Sequence, residues 1–165
     1  HGLYCVEFCK KYPDLKATVL DWAVGLENAK ITLTQEKDMA NRINLFEADF
    51  EKEDLPGEKF DFMFLGNIIH GLTEEGNKLL FKKIADATAS NGVVAILDQY
   101  ANVKGSQFVK GVAAMIGWNL FAFVGGRAYD FDRVKEWLEE VSFHNVSLTH
   151  LRQAPGFSFI KAQKR

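Results

Sequence analysis

Phe60-Asp61-Phe62-Met63-Phe64-Leu65 is almost wholly apolar, and Val93-Val94-Ala95-Ile96-Leu97-Asp98 is a second apolar run, ending on an acid. Continuous apolar runs of this length belong to parallel strands covered on both faces. Between them, Thr73 is a good helix N-cap and Glu74 and Glu75 fall in the first turn. Leu80, Ile84 and Ala87 then recur at helical spacing until Asn91-Gly92 stops the helix. Upstream, Leu3 to Tyr12 reads as a short helix stopped by Pro13, and Lys16 to Asp21 as a β-branched strand ending on an acid. Leu26 to about Met39 reads as a helix, Arg42 to Ala48 as a strand, and Glu51 to Gly57 as an acidic loop. Downstream, Val103 to Val124 is rich in Gly and aromatics and helical in part. Asp130 can cap an amphipathic helix with Val134, Trp137, Leu138 and Val141 on one stripe. Val146 to Leu151 and Phe157 to Ala162, joined through Pro155-Gly156, predict an antiparallel hairpin. Alternating strand and helix, then a terminal hairpin, predicts an α/β open sheet that is mostly parallel.

The chain has 165 residues, 47% hydrophobic and 25% charged, which suits one soluble globular domain. No apolar run reaches the roughly 18 residues of a transmembrane helix, so no membrane span is expected. A net charge of -2 and a pI near 6.1 argue against a nucleic-acid partner. Cys5 and Cys9 lie at i,i+4 spacing, poor for a disulfide, and no zinc-ligand pattern accompanies them. The expectation is a reduced, cytoplasmic chain without a metal. His1-Gly2-Leu3-Tyr4 has no signal-peptide character and no initiator Met, and reads as a cut or processed end. The 14 Phe suggest an aromatic-lined pocket.

Ligands of open α/β sheets lie at the carboxyl ends of strands, which directs attention to Asp21, Asp49, Gly66 to His70, and Asp98. Asp21 follows Gly2 by about 19 residues, the interval of the acid that takes ribose hydroxyls in nucleotide-binding βαβ units. A carboxylate suits that role because it can accept from both hydroxyls. Asp49 could accept from an exocyclic amine, with Phe50 on one face of an adenine and Trp22 on the other; a loop acid beside core aromatics is the plainer reading. His70 is a candidate general base, oriented by Asp98, or else a structural histidine. Phe108, Met115, Trp118, Phe121 and Phe123 either pack in the core or wall a pocket for a flat apolar molecule. His144 and His150 read as surface residues.

Taken in order, these segments resemble class I S-adenosylmethionine-dependent methyltransferases, in the branch of small-molecule O-methyltransferases that includes the plant caffeate and bacterial polyketide enzymes. His1-Gly2 looks like the tail of a GGGHG loop. Lys11-Tyr-Pro-Asp-Leu15, Ala17-Thr-Val-Leu-Asp21 and Gly25-Leu-Glu-Asn-Ala29 are similar to the family's next segments. Phe64-Leu-Gly-Asn-Ile-Ile-His70 with Thr73 to Leu80 looks like its catalytic-histidine motif, and Val93 to Asp98 like the following strand.

The resemblance implies a Rossmann-like sheet whose first strand precedes His1, and residues 1–165 as most of a catalytic domain. A dimerising helical domain would lie upstream and make the protein a homodimer. The implied cofactor is S-adenosyl-L-methionine. Gly2 would approach its methionine portion, Asp21 its ribose, Trp22, Asp49 and Phe50 its adenine, and Gly66 and Asn67 its sulfonium end. His70 would be the base, assisted by Asp98 where plant members carry Glu. Met115, Trp118 and Asn119 would line the pocket of a small-molecule acceptor. Two acids of the pattern are replaced, by Gly71 and by Ala128. A non-catalytic module that binds the cofactor or a partner is the alternative, and a nicotinamide-dependent oxidoreductase a third reading.

Overall fold

The computed structural model describes residues 1–101, 106–154 and 156–165, with the side chains of Phe123 and Val124 set aside. Val103 in the aromatic stretch, the side chain of Phe123 and Pro155 of the hairpin turn lie outside the described residues. The chain forms two compact units, His1–Pro56 and Gly57–Arg165.

In the first unit, α1 (Leu3–Lys11), β1 (Ala17–Asp21), α2 (Ala23–Gln35), α3 (Lys37–Ala40) and β2 (Ile43–Glu47) follow one another. β1 and β2 are parallel, with Ala17 opposite Ile43 and Asp21 opposite Glu47. Val6, Cys9 and Ile43 form a small buried core against Leu15, Val19 and Met39. Arg42 fastens the turn after α1: its guanidinium donates to the carbonyls of Cys9, Tyr12, Pro13 and Leu15 at 2.7–3.2 Å. Two expectations shift. The helix placed at Leu26 starts at Ala23, with Trp22 as its N-cap and no side-chain cap bond, so no capping residue marked its start. It also divides in two at Glu36, whose backbone leaves the helical region at φ -110°, ψ 55°.

The second unit is a five-stranded sheet of β3 (Phe60–Gly66), β4 (Thr88–Ala101), β7 (Phe157–Lys164) and β6 (Phe143–His150), with β5 (Tyr129–Asp130) pairing β4. β3 and β5 run parallel to β4, whereas β4/β7 and β6/β7 are antiparallel, so the terminal hairpin forms as expected. The helices are a 3-10 turn (Ile69–Gly71), α4 (Glu74–Ala87), α5 (Gln107–Val124) and α6 (Phe131–Glu140). Thr73 caps α4, its hydroxyl accepting from Gly76 N at 3.1 Å. Phe81 and Ile84 of α4, Trp137 and Leu138 of α6, and Val94, Ile96 and Ile160 of the sheet are all buried. Asp130 sits at the N-cap of α6 without a side-chain cap bond. β3 departs from the expected full cover: Asp61 is exposed and Phe62 is 44% exposed.

The largest correction lies at Asn91-Gly92. α4 ends earlier, at Ala87, where Thr88 Oγ1 donates to Ile84 O and Lys59 and Lys164 donate to the last carbonyls of the helix. Residues 88–101 are all strand, and the pairing with β3 slips between Phe60↔Thr88 and Phe62↔Val93. Asn91-Gly92 therefore belongs to a bulge, with Asn91 at φ 63°. A Cβ on Gly92 would stand 2.7 Å from Thr88 Cγ2, 2.9 Å from Ala89 O and 3.1 Å from Phe60 O. Two of these obstacles are backbone, so Gly92→Ala is expected to cost about 1–3 kcal/mol. Thermal denaturation checks this, and an unchanged Tm contradicts it. A second bulge, at Asn145 (φ 53°) between His144 and Ser147, explains why the alternation in β6 is readable only from Val146 although the strand starts at Phe143.

Candidate active site

Each unit carries a group of the expected residues at its strand ends. In the first, Gly2 is the N-cap of α1 at φ 73°, a conformation that suits glycine, and packs toward Val19 and Ala29. Asp21 ends β1, and its backbone carbonyl accepts from Ala48 N at 3.2 Å. Trp22 and Phe50 come together with ring centroids 6.4 Å apart and planes within 18°. Both are held by strand ends, Trp22 at the start of α2 and Phe50 just beyond β2. Asp49 accepts from Glu51 N at 3.1 Å and from Lys52 Nζ at 2.9 Å, and the Lys52 ammonium holds its carboxyl below the usual carboxylate range. Beside them is an open cavity of about 570 Å³, lined by Trp22, Ala23, Glu47, Ala48, Asp49 and the acidic loop. An aromatic pair with carboxylates at its margin suits a flat base carrying donor groups, and a sugar with hydroxyls.

In the second unit, β3 ends at Gly66, opposite Leu97, whereas β4 runs on to Ala101, so Asp98 lies within β4 rather than at the strand end expected for it. The chain then turns through Asn67, at φ 57°, whose N–H donates to Leu97 O at 2.8 Å. The 3-10 turn follows and presents His70. Its Nδ1 lies 2.7 Å from Oδ1 of Asp98, which is fully buried, while the His70 side chain is 17% exposed. Asp98 Oδ1 also accepts from Gln99 N at 2.8 Å, and Oδ2 from Ile69 N at 3.1 Å. With backbone donors on both oxygens, Asp98 acts as an acceptor, so His70 Nδ1 carries the proton and Nε2 presents its lone pair. This is the orientation a general base requires. The turn itself is fixed by Asn77 Nδ2 donating to Ile69 O at 3.0 Å and Arg127 N donating to His70 O at 2.8 Å.

Other acidic protons are held in place. Burial, with Asp98 adding to it, pushes the Tyr100 hydroxyl far above its ordinary value. Burial pushes the Cys5 thiol up to about 11. Among the described residues, no three His, Cys, Asp or Glu side chains gather to hold a metal ion, and no helix is long and apolar enough to cross a membrane.

The sequence profile of the O-methyltransferase domain matches residues 1–144. The chain belongs to this family. It is 28% identical over 147 residues to the 3-hydroxy-5-methyl-1-naphthoate 3-O-methyltransferase of Streptomyces sahachiroi, a match covering 88% of this chain and 41% of that protein. Its fold is that of a Planctomyces limnophilus O-methyltransferase family 2 protein in complex with apigenin (TM-score 0.80, 20% identity, 99% of this chain and 47% of that one). It is also that of human N-acetylserotonin methyltransferase in complex with SAM (TM-score 0.76, 19% identity, 99% and 44%). The chain thus spans less than half the length of these relatives.

In this O-methyltransferase domain, Gly71 closes the 3-10 turn and Ala128 directly precedes β5; they are the two positions at which the resemblance implied acids. A Cβ on Gly71 would meet nothing within 4 Å. Met115 and Trp118 are 59% and 68% exposed on α5, and Asn119 is exposed with them, so none of the three packs in the core. His150 is exposed, with Nδ1 2.8 Å from Ser158 Oγ, whereas His144 is half-buried rather than on the surface. Gln99 went unnoticed in the sequence: it is buried, and its Nε2 donates to Asn67 Oδ1 at 3.3 Å. Its place next to Asp98 is the signal that could have found it.

Proposed function

We propose that the protein containing this domain transfers a methyl group from S-adenosyl-L-methionine to a hydroxyl of a small, flat, largely apolar molecule. The observation that carries the reading is the buried Asp98 of β4 bonded to a partly exposed His70 just beyond β3, within a chain of the O-methyltransferase domain family. The residues of the first unit fit the cofactor: Asp21 binds the ribose hydroxyls, Trp22 and Phe50 cover the adenine, and Asp49 takes its exocyclic amine. Gly2 admits the methionine portion, and Gly66 and Asn67 line the sulfonium end. When bound, the cofactor supplies an electrophilic methyl group.

The protein's own part is positioning and proton transfer. His70 Nε2 takes the proton of the acceptor hydroxyl, and Asp98 stabilises the imidazolium through Nδ1. Alignment of the reacting atoms at about 3 Å supplies the larger share of the rate. Met115, Trp118 and Asn119 form the acceptor's wall, a role supported by their exposure on α5. The Streptomyces relative is named for a hydroxylated naphthoate and the Planctomyces protein is complexed with apigenin, which favours a hydroxylated aromatic acceptor.

Purified protein incubated with S-adenosyl-L-methionine and 3-hydroxy-1-naphthoate or apigenin is expected to yield a product heavier by one methyl group. S-Adenosylhomocysteine binding by calorimetry, without turnover on any hydroxyarene tried, would favour the non-catalytic module instead.

A further inference from the structure

Asn77 stands on the inward stripe of α4, where the other buried residues are Leu80, Phe81, Ile84, Ala85 and Ala87. It is fully buried, and its Oδ1 has no hydrogen-bond partner among the described residues. An amide in such a place is costly, because both polar ends lose water and only one finds a new partner. Leucine has the same branched skeleton, forms helix better and carries nothing to desolvate. Stability alone therefore favours leucine at 77. What the amide adds is one bond: Nδ2 donates to Ile69 O at 3.0 Å. That carbonyl belongs to the peptide leading into His70, and its bond within the turn, from Leu72 N, is long at 3.3 Å. Ile69 N donates to Asp98 Oδ2 at 3.1 Å, while His70 Nδ1 lies 2.7 Å from Oδ1. Asp98 thus grips residues 69 and 70 from β4, and Asn77 grips the peptide between them from α4. Without the second grip that peptide can rotate, and its rotation swings the His70 ring off Oδ1. The rest of the turn is held independently, His70 O by Arg127 N at 2.8 Å and Leu72 O by the Tyr129 hydroxyl at 2.6 Å.

We infer that Asn77 is a positioning residue: it fixes the peptide between Ile69 and His70, and so keeps His70 Nδ1 on Asp98 with Nε2 free to take a proton. The inference rests on the general-base reading of His70 made above. Replacing the amide by an apolar group of the same shape loosens the ring and spares the fold, so activity and stability part.

The test is Asn77→Leu in the full chain with isotope-labelled histidine, the ring nitrogens being read by NMR and Tm by thermal denaturation. Wild-type His70, identified by the signals lost in His70→Ala, is expected in one form, with its proton on Nδ1. Asn77→Leu is expected to show both tautomers at His70, to leave the signals of His1, His144 and His150 in place, and to keep Tm within about 4 °C of wild type. Kd for S-adenosylhomocysteine stays within about twofold, and kcat for an acceptor that wild type methylates falls about 10–100-fold. Asn77→Ala, which cannot overfill the site, shows the same ring change beside a lower Tm. A wild-type ring spectrum in both variants would overturn the role of Asn77, whatever happens to Tm. Loss of the fold in both would do the same, since Asn77 would then hold the core rather than the turn, as would unchanged kcat in Asn77→Leu beside a lowered kcat in His70→Ala. A wild-type His70 with its proton on Nε2, or unchanged kcat in His70→Ala, would overturn the base reading and this inference with it.

Discussion

His70→Ala is expected to lower kcat for methyl transfer by about 10²–10⁴-fold while leaving the Kd for S-adenosylhomocysteine within about twofold of wild type. The split follows from geometry. His70 sits on the 3-10 turn, with its ring bonded to Asp98 and its carbonyl to Arg127 N. Alanine keeps the backbone bond and removes only the ring. The proton acceptor is lost, and the residues assigned to the cofactor are untouched. Initial-rate kinetics beside calorimetry read the two quantities separately. Unchanged kcat would remove His70 as the base, and loss of binding together with rate would make it a structural histidine.

Asp98→Asn is expected to cost a similar 10²–10⁴-fold in kcat by a different route. The carboxylate accepts from three N–H groups: Oδ1 from His70 Nδ1 and Gln99 N, and Oδ2 from Ile69 N. An amide offers one acceptor and one donor group. If its nitrogen faces Ile69, two donors oppose each other in a buried site, at about 1–3 kcal/mol. If it faces His70, Gln99 N is opposed instead and Nδ1 must become the acceptor, which moves the ring proton to Nε2 and abolishes the base. A fall in both Tm and kcat is therefore expected, larger in kcat than a loss of folded protein explains. Wild-type turnover in Asp98→Asn would show that the negative charge beside Nδ1 contributes nothing to the reaction.

The pairing of His70 with Asp98 was readable because one follows and the other closes an apolar run, and the two runs pair as parallel neighbours with Gly66 opposite Leu97, although β4 continues to Ala101 where a strand end was expected at Asp98. Thr73 was readable for a local reason, since a hydroxyl before two acids and a helical stripe marks a helix start. The features that escaped depend on distant partners. Arg42 serves carbonyls 27 to 33 residues earlier, and nothing near it in the chain announces that. Asn91-Gly92 misled because left-handed residues end helices and make bulges alike, and only the pairing with Phe60 and Phe62 distinguishes the two. The aromatics of α5 resembled core by composition, yet Phe108, Met115, Trp118 and Phe121 are all more than half exposed.

β4 is bonded along one edge to β3, along the other to β7, and at its tip to β5. Its central amides can exchange with solvent only through opening of the whole second unit, whereas a three-residue turn opens locally at far lower cost. Asp98 rides on the first and His70 on the second. Hydrogen exchange is therefore expected to protect the amide of Asp98 longer than those of the turn that carries His70, so that the two partners of one hydrogen bond report on different opening events.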